Sequence, residues 1–152
     1  MRRFDRFIKI ILANEGGDKI VNDSGGVTKW GISKKAYPDI DIERLTQNEA
    51  REIYYRDYYL KINADKINES LLALQLFDMA INAGVKQASK LLQTLVGVKA
   101  DGIIGPISLK AINSKKKLAF SYMEERFKYY SKLSDQYPQY QRAWTLRIFR
   151  TY

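Results

Sequence analysis

The sequence predicts a mainly α-helical protein with one small β element near its N-terminus. Apolar residues recur at helical spacing along most of the 152 residues. The one stretch of short β-type runs, residues 18–32, lies where five of the nine glycines gather, between Asn14 and Ile32. With 45% hydrophobic and 28% charged residues, the chain has room for a sizeable core and the balance of an ordinary globular protein.

Phe4, Phe7, Ile8, Ile11 and Leu12 fall at i, i+3, i+4, i+7 and i+8, which predicts an amphipathic helix over 3–14 stopped by Gly16 and Gly17. Asp5, Arg6 and Lys9 interrupt its apolar run. The segment therefore reads as mature structure, and the expectation is cytoplasmic synthesis without a signal peptide, with any action outside the cytoplasm following release. "KIVN" and "VTKWGI", separated by "DSGG", predict a small hairpin or flap. Thr46 and Glu49 form a capping-box pattern, so a helix is expected from there to about Leu60. The loop at 62–68 divides the chain into lobes 1–68 and 69–152.

"ESLLALQLFDMAINAG", residues 69–84, is apolar nearly all the way round, as a central buried helix should be. Its polar exceptions Gln75, Asp78 and Asn82 share one face, so they either satisfy one another's neighbours internally or line a cleft. A further amphipathic helix ends at Gly97, and Pro106 opens another at its first position. Residues 114–134 read as a long basic helix, and an aromatic-rich helix closes the chain.

The sequence contains no histidine and no cysteine. That excludes Ser-His-Asp and Cys-His catalysis, His or Cys zinc sites, and disulfides. The formal charge of +9 favours an anionic partner: nucleic acid, membrane surface or cell-wall polymer. No stretch reaches membrane-spanning length. "ADGIIGP" lacks the alternating carboxylates of a calcium loop, and "DSGG" has no following Gly-Lys-Ser/Thr, so neither a metal nor a phosphate loop is expected.

Carboxylates remain as the reactive groups. Glu15 ends the first predicted helix, where unpaired carbonyls favour a protonated acid. Asp23 and Thr28 follow on the flap. A protonated acid facing a second carboxylate across a groove can cleave a glycosidic bond. Taken alone, the residues favour the plainer reading of Glu15 as a helix-end residue and Asp23 as a hairpin-turn residue.

"EGG…VNDSGGVTKWGIS" resembles the N-terminal signature of glycoside hydrolase family 108, lysozyme-superfamily muramidases that include phage endolysins and secretion activators. "LFDMAINAGVKQASKLLQTLVGVKADGIIGPISLKAI" and "ERFKYYSKL…YQRAWTLRI" are similar to the peptidoglycan-binding domain that accompanies it, with its patterns FD-x-x-x-N-x-G, DG-x-x-GP, R-x-x-YY and W-x-x-R. The resemblance implies a lysozyme-like fold with an N-terminal flap and helical C-terminal lobe. It also implies cleavage of the β-1,4 bond after N-acetylmuramic acid, with Glu15 as the acid and no cofactor. Glu15, Asp23 and Thr28 approach the Glu-Asp-Thr spacing of phage-type lysozymes, each gap one residue short, so Asp23 and Thr28 are candidates to hold water. The segment between "VND" and "GG" is about three residues shorter than the family's, so Asp23 could match either of two family aspartates. Ser108 stands where threonine is usual, and Ala143 where glycine is.

Substrate-binding candidates are Trp30, Tyr54, Tyr58, Gln75, Asp78 and Asn82. The aromatic rings would stack on sugars, and Asn82 falls where the family's central helix faces the cleft. The expected partner is bacterial peptidoglycan, with a monomer as the default and no nucleic acid. A non-catalytic wall-binding protein is the alternative, and a basic nucleic-acid binder a weaker one supported by charge alone.

Overall fold

A computed structural model describes residues 2–15, 17–23 and 26–150. The chain forms two compact units, Met1–Arg56 and Asp57–Tyr152. The division falls within a π-helical turn, Tyr55–Tyr59, ahead of the 62–68 loop. Among the described residues the architecture is mainly α, with one three-stranded antiparallel sheet. No helix among them is long and apolar enough to cross a membrane.

The first unit begins with α1 (Arg3–Asn14), which buries the periodic face Phe7, Ile8, Ile11 and Leu12. The flap is a ribbon of β1 (Val21–Asp23), β2 (Gly26–Lys29) and β3 (Ile32–Ser33). The run "VTKWGI", read as one strand, is two, because the chain reverses at Trp30–Gly31. Both residues there have positive φ, 54° and 76°, as a tight two-residue hairpin turn requires. Lysines anchor the ribbon to the following loop: Lys29 Nζ donates to the Glu43 carbonyl (2.7 Å) and Lys34 Nζ to the Ile40 carbonyl (2.9 Å).

Helix α2 (Gln47–Tyr54) starts at the expected capping box. The Thr46 N–H donates to Glu49 Oε2 (2.8 Å) and the Glu49 N–H to Thr46 Oγ1 (3.3 Å). Its α-helical path stops at Tyr54, short of Leu60, because the turn widens to π geometry over Tyr55–Tyr59. Arg51 reaches back to Asp5 at 2.8 Å and lies over the Phe4 ring, tying α2 to the start of α1. The Phe4 and Tyr55 rings meet edge to face at 4.9 Å.

In the second unit α3 (Ser70–Ala83) is the central helix, with every residue from Leu72 to Ala80 buried. It packs with α4 (Val85–Val96) and α6 (Leu118–Ser134), while α5 (Pro106–Asn113) rests on α4 and α7 (Gln141–Arg150) on α6. Two polar nodes sit inside this helical packing.

At the first node, Arg126 of α6, fully buried, donates to Gln75 Oε1 and to Asp78 Oδ2 of α3. Arg147 of α7 donates to the other Asp78 oxygen at 2.9 Å, and Gln75 Nε2 to the Ile148 carbonyl at 3.3 Å. One carboxylate thus holds three helices together.

The second node is Gln93 of α4. Its Nε2 lies 2.8 Å from Asp101 Oδ1, 3.0 Å from the Ile103 carbonyl and 3.0 Å from Ser108 Oγ, while its Oε1 accepts the Gly102 N–H at 2.8 Å. Gly102 has φ +88°, and a Cβ there would stand 3.2 Å from the Lys86 carbonyl oxygen. Gln93 therefore ties the loop carrying the "DG" pair to Ser108 in the first turn of α5.

The basic stretch 114–117, expected to open a long helix, instead forms the turn between α5 and α6. The reason lies at the start of α6. Glu69 Oε2 accepts the Leu118 N–H (2.9 Å) and its Oε1 the Ala119 N–H (3.3 Å), so a distant carboxylate caps the helix at Leu118. Lys117 precedes it in left-handed conformation, φ 57°.

Asp78→Ala leaves Arg126 buried without its counter-charge, and the expected cost is about 3–5 kcal/mol in urea unfolding. Arg147→Ala, which leaves the buried pair intact, should cost less. The amide of Gln93 holds the Asp101 carboxyl below the usual carboxylate range, with the Ile103 N–H adding to it. The group is more acidic folded than unfolded, so it stabilises the fold above its ordinary pKa. That contribution is lost as pH falls below about 4 and through the folded value. The acid-induced loss of stability should be smaller in Asp101→Asn.

Candidate functional site

Glu15 is the C-cap residue of α1, its N–H donating to the Ile11 carbonyl at 3.0 Å. The helix therefore fixes the backbone that carries the carboxylate. The Trp30–Gly31 turn of the ribbon returns to the same place: the Trp30 N–H donates to the Gly17 carbonyl at 3.2 Å. A Cβ on Gly31 would fall 2.8 Å from Glu15 Oε2 and 2.9 Å from Glu15 Cγ, and closer still to the Tyr54 hydroxyl. Only glycine supplies both the missing side chain and the positive φ here. The carboxylate, the bare turn backbone and the tyrosine hydroxyl thus converge on one point.

Tyr54 braces this arrangement from α2. Its ring is fully buried, and its hydroxyl donates to the Trp30 carbonyl at 2.9 Å. That corrects the expectation that Tyr54 stacks on sugar, since a ring sealed from solvent meets no ligand. Trp30 is half-buried, held in a left-handed conformation that side-chain-bearing residues seldom adopt. Its indole N–H is buried and has no hydrogen-bond partner among the described residues. With Lys9, Gln47 and Arg51, Trp30 borders a cavity of about 360 Å³.

Thr28 is half-buried on β2, opposite Val21 on β1 and Ser33 on β3. Asp23 ends β1 opposite Gly26; its backbone is described and its side chain lies outside the described residues. Residues directly opposite in an antiparallel pair share a face, so the register puts Val21 and Thr28 on the same side of the ribbon.

In the second unit the polar stripe of α3 divides. Gln75 and Asp78 are fully buried and engaged with Arg126, so the internal-network alternative holds and neither can bind substrate. Asn82, one turn beyond Asp78, is exposed, its Nδ2 donating to the Asp78 carbonyl at 2.7 Å. Tyr58 is half-buried. Among the described residues no three acidic side chains come together as metal ligands.

Gly31, Gln93 and Arg126 escaped the sequence reading. Signals for two of them exist: "WGI" interrupts a β-type run with a glycine, and Arg126 occupies an apolar face between Tyr122 and Tyr130. Gln93 shows nothing in sequence, because its four partners come together only when the 98–105 loop and the start of α5 fold over α4.

Residues 8–84 match the family model described as Glycosyl hydrolase 108, and residues 87–148 match the one described as Predicted Peptidoglycan domain. The solved structure of SagA from Brucella abortus is similar to the chain with a TM-score of 0.82 and 27% sequence identity, over 97% of this chain and 90% of that one. No match is found among the curated proteins.

Tyr54→Phe removes the donor to the Trp30 carbonyl and should lower stability by about 1 kcal/mol. Gly31→Ala should cost more: about 1–2 kcal/mol from the left-handed backbone alone, with the collision against Glu15 added. Urea unfolding of both variants checks the order.

Proposed function

The chain belongs to the glycosyl hydrolase 108 family, and from that premise we propose that it is a lysozyme-type muramidase. It cleaves the β-1,4 bond between N-acetylmuramic acid and N-acetylglucosamine in bacterial peptidoglycan. Glu15 protonates the leaving glycosidic oxygen. Asp23 and Thr28, both on the flap, orient the attacking water or stabilise the oxocarbenium-like state. Trp30, Tyr58 and Asn82 contact sugar. Tyr54 is a positioning residue that acts through the Trp30 carbonyl. The N-terminal lobe carries the chemistry, and the helical C-terminal lobe holds the wall.

The observation that carries this reading is the packing of the Glu15 carboxylate against Gly31. A helix-end glutamate in an ordinary surface position needs no glycine opposite it. Here the bare backbone of a hairpin turn, braced by a buried tyrosine, comes close against the Glu15 carboxylate. Backbone strain like that of Trp30 collects at functional sites. The net charge of +9 favours approach to the anionic wall.

The test is release of new sugar ends from purified peptidoglycan. Wild type should produce reducing muramic acid ends. Glu15→Gln, nearly isosteric, should lower the rate by roughly 10²–10⁴-fold, the usual worth of a positioned general acid. Sedimentation with the wall but no new ends from either protein would leave a binding protein in its place.

A further inference from the structure

The second unit contains a cavity of about 470 Å³ where the start of α3, the end of α5 and the 114–117 turn meet. Lys115, Lys116 and Lys117 line it. Among the described residues none of their ammonium groups has a hydrogen bond or ion pair. The one carboxylate in the lining, Glu69, is engaged with the Leu118 and Ala119 N–H groups of α6. It therefore answers the helix N-terminus and leaves the lysine charges uncompensated.

The wall of the cavity is built and held. Asn113 Oδ1 accepts the Asn68 N–H (2.9 Å), and Asn113 Nδ2 donates to the Lys66 carbonyl (2.8 Å). Lys117 keeps a left-handed backbone that glycine or asparagine would adopt more readily. A long cationic side chain thus occupies a position where backbone preference argues against it.

We infer that this cavity binds the carboxylate-bearing peptide stems of peptidoglycan, an inference that rests on the peptidoglycan reading above. Three cations select an anion. The size suits several residues of peptide rather than a lone phosphate. Buried Leu72 and Ile112 give the lining an apolar part for small side chains, and the Asn68 amide can bond a peptide group.

The experiment uses full-length protein carrying Glu15→Gln, so that substrate survives, sedimented with purified sacculi. Lys115→Gln/Lys116→Gln is compared with Lys99→Gln/Lys132→Gln, which removes equal charge from exposed positions elsewhere. The expected result is at least tenfold weaker binding by the first pair and little change in the second. Glycan strands stripped of stems by an amidase should bind the parent more weakly than sacculi do and no better than they bind the 115/116 pair, and free stem peptide should displace the parent from sacculi where inorganic phosphate does not. Lys117→Gly should unfold at higher urea yet bind more weakly, a combination that simple surface charge does not give.

Equal losses in the two pairs, full binding to stripped strands, or equal displacement by phosphate would overturn the inference. If the 115/116 pair binds sacculi as the parent does while wild type still releases muramic acid ends, the inference fails and the enzymatic reading stands. If the parent does not sediment at all, the inference fails together with the wall-binding part of that reading.

Discussion

Asp78 and Arg126, a carboxylate and a guanidinium sealed from water in the middle of the helical unit, constrain everything packed around them. Burying either ion alone would cost several kcal/mol. The helices therefore settle where both are answered: α6 brings Arg126 to α3, and α7 adds Arg147 to the second carboxylate oxygen. Gln75 accepts from a second nitrogen of Arg126 and ties the Ile148 carbonyl into the same cluster. Apolar faces alone would let α6 and α7 slide along α3. The ion pair fixes their register.

The same logic explains which residues the resemblance turned on. The Asp of FD-x-x-x-N-x-G, the Arg of R-x-x-YY and the Arg of W-x-x-R are Asp78, Arg126 and Arg147, scattered over nearly half the chain yet in one ion cluster. The DG of DG-x-x-GP meets Gln93: the amide oxygen accepts the Gly102 N–H, and the two N–H donors are shared among the Asp101 carboxylate, the Ile103 carbonyl and the Ser108 hydroxyl. These motifs record how polar groups are satisfied inside a helical packing. Trp144 belongs to the same scheme, stacked on Tyr130 at 5.3 Å.

The flap follows a different rule. Its strands are short, and its shape comes from a turn that puts Trp30 and Gly31 at positive φ. Glycine meets that demand freely; tryptophan does not. The turn persists because Tyr54 holds the Trp30 carbonyl from α2 and the Gly17 carbonyl receives the Trp30 N–H. What the strain secures is a close approach of bare backbone to Glu15.

Local signals in the sequence determined the helices, because periodicity, the Thr46–Glu49 box and Pro106 act within a few residues of themselves. They determined the flap's place and Glu15's position at a helix end for the same reason. Tertiary structure alone decided what the polar residues do. Whether Asp78 lines a cleft or neutralises an arginine depends on Arg126, 48 residues away, and whether Tyr54 meets sugar or braces a turn depends on where the ribbon folds back. The turn at 114–117, where the sequence predicts helix, has the same cause: the cap that starts α6 at Leu118 comes from Glu69, the residue just ahead of α3. A helix is specified by neighbours along the chain; a buried charge or a borrowed cap is specified by neighbours in space.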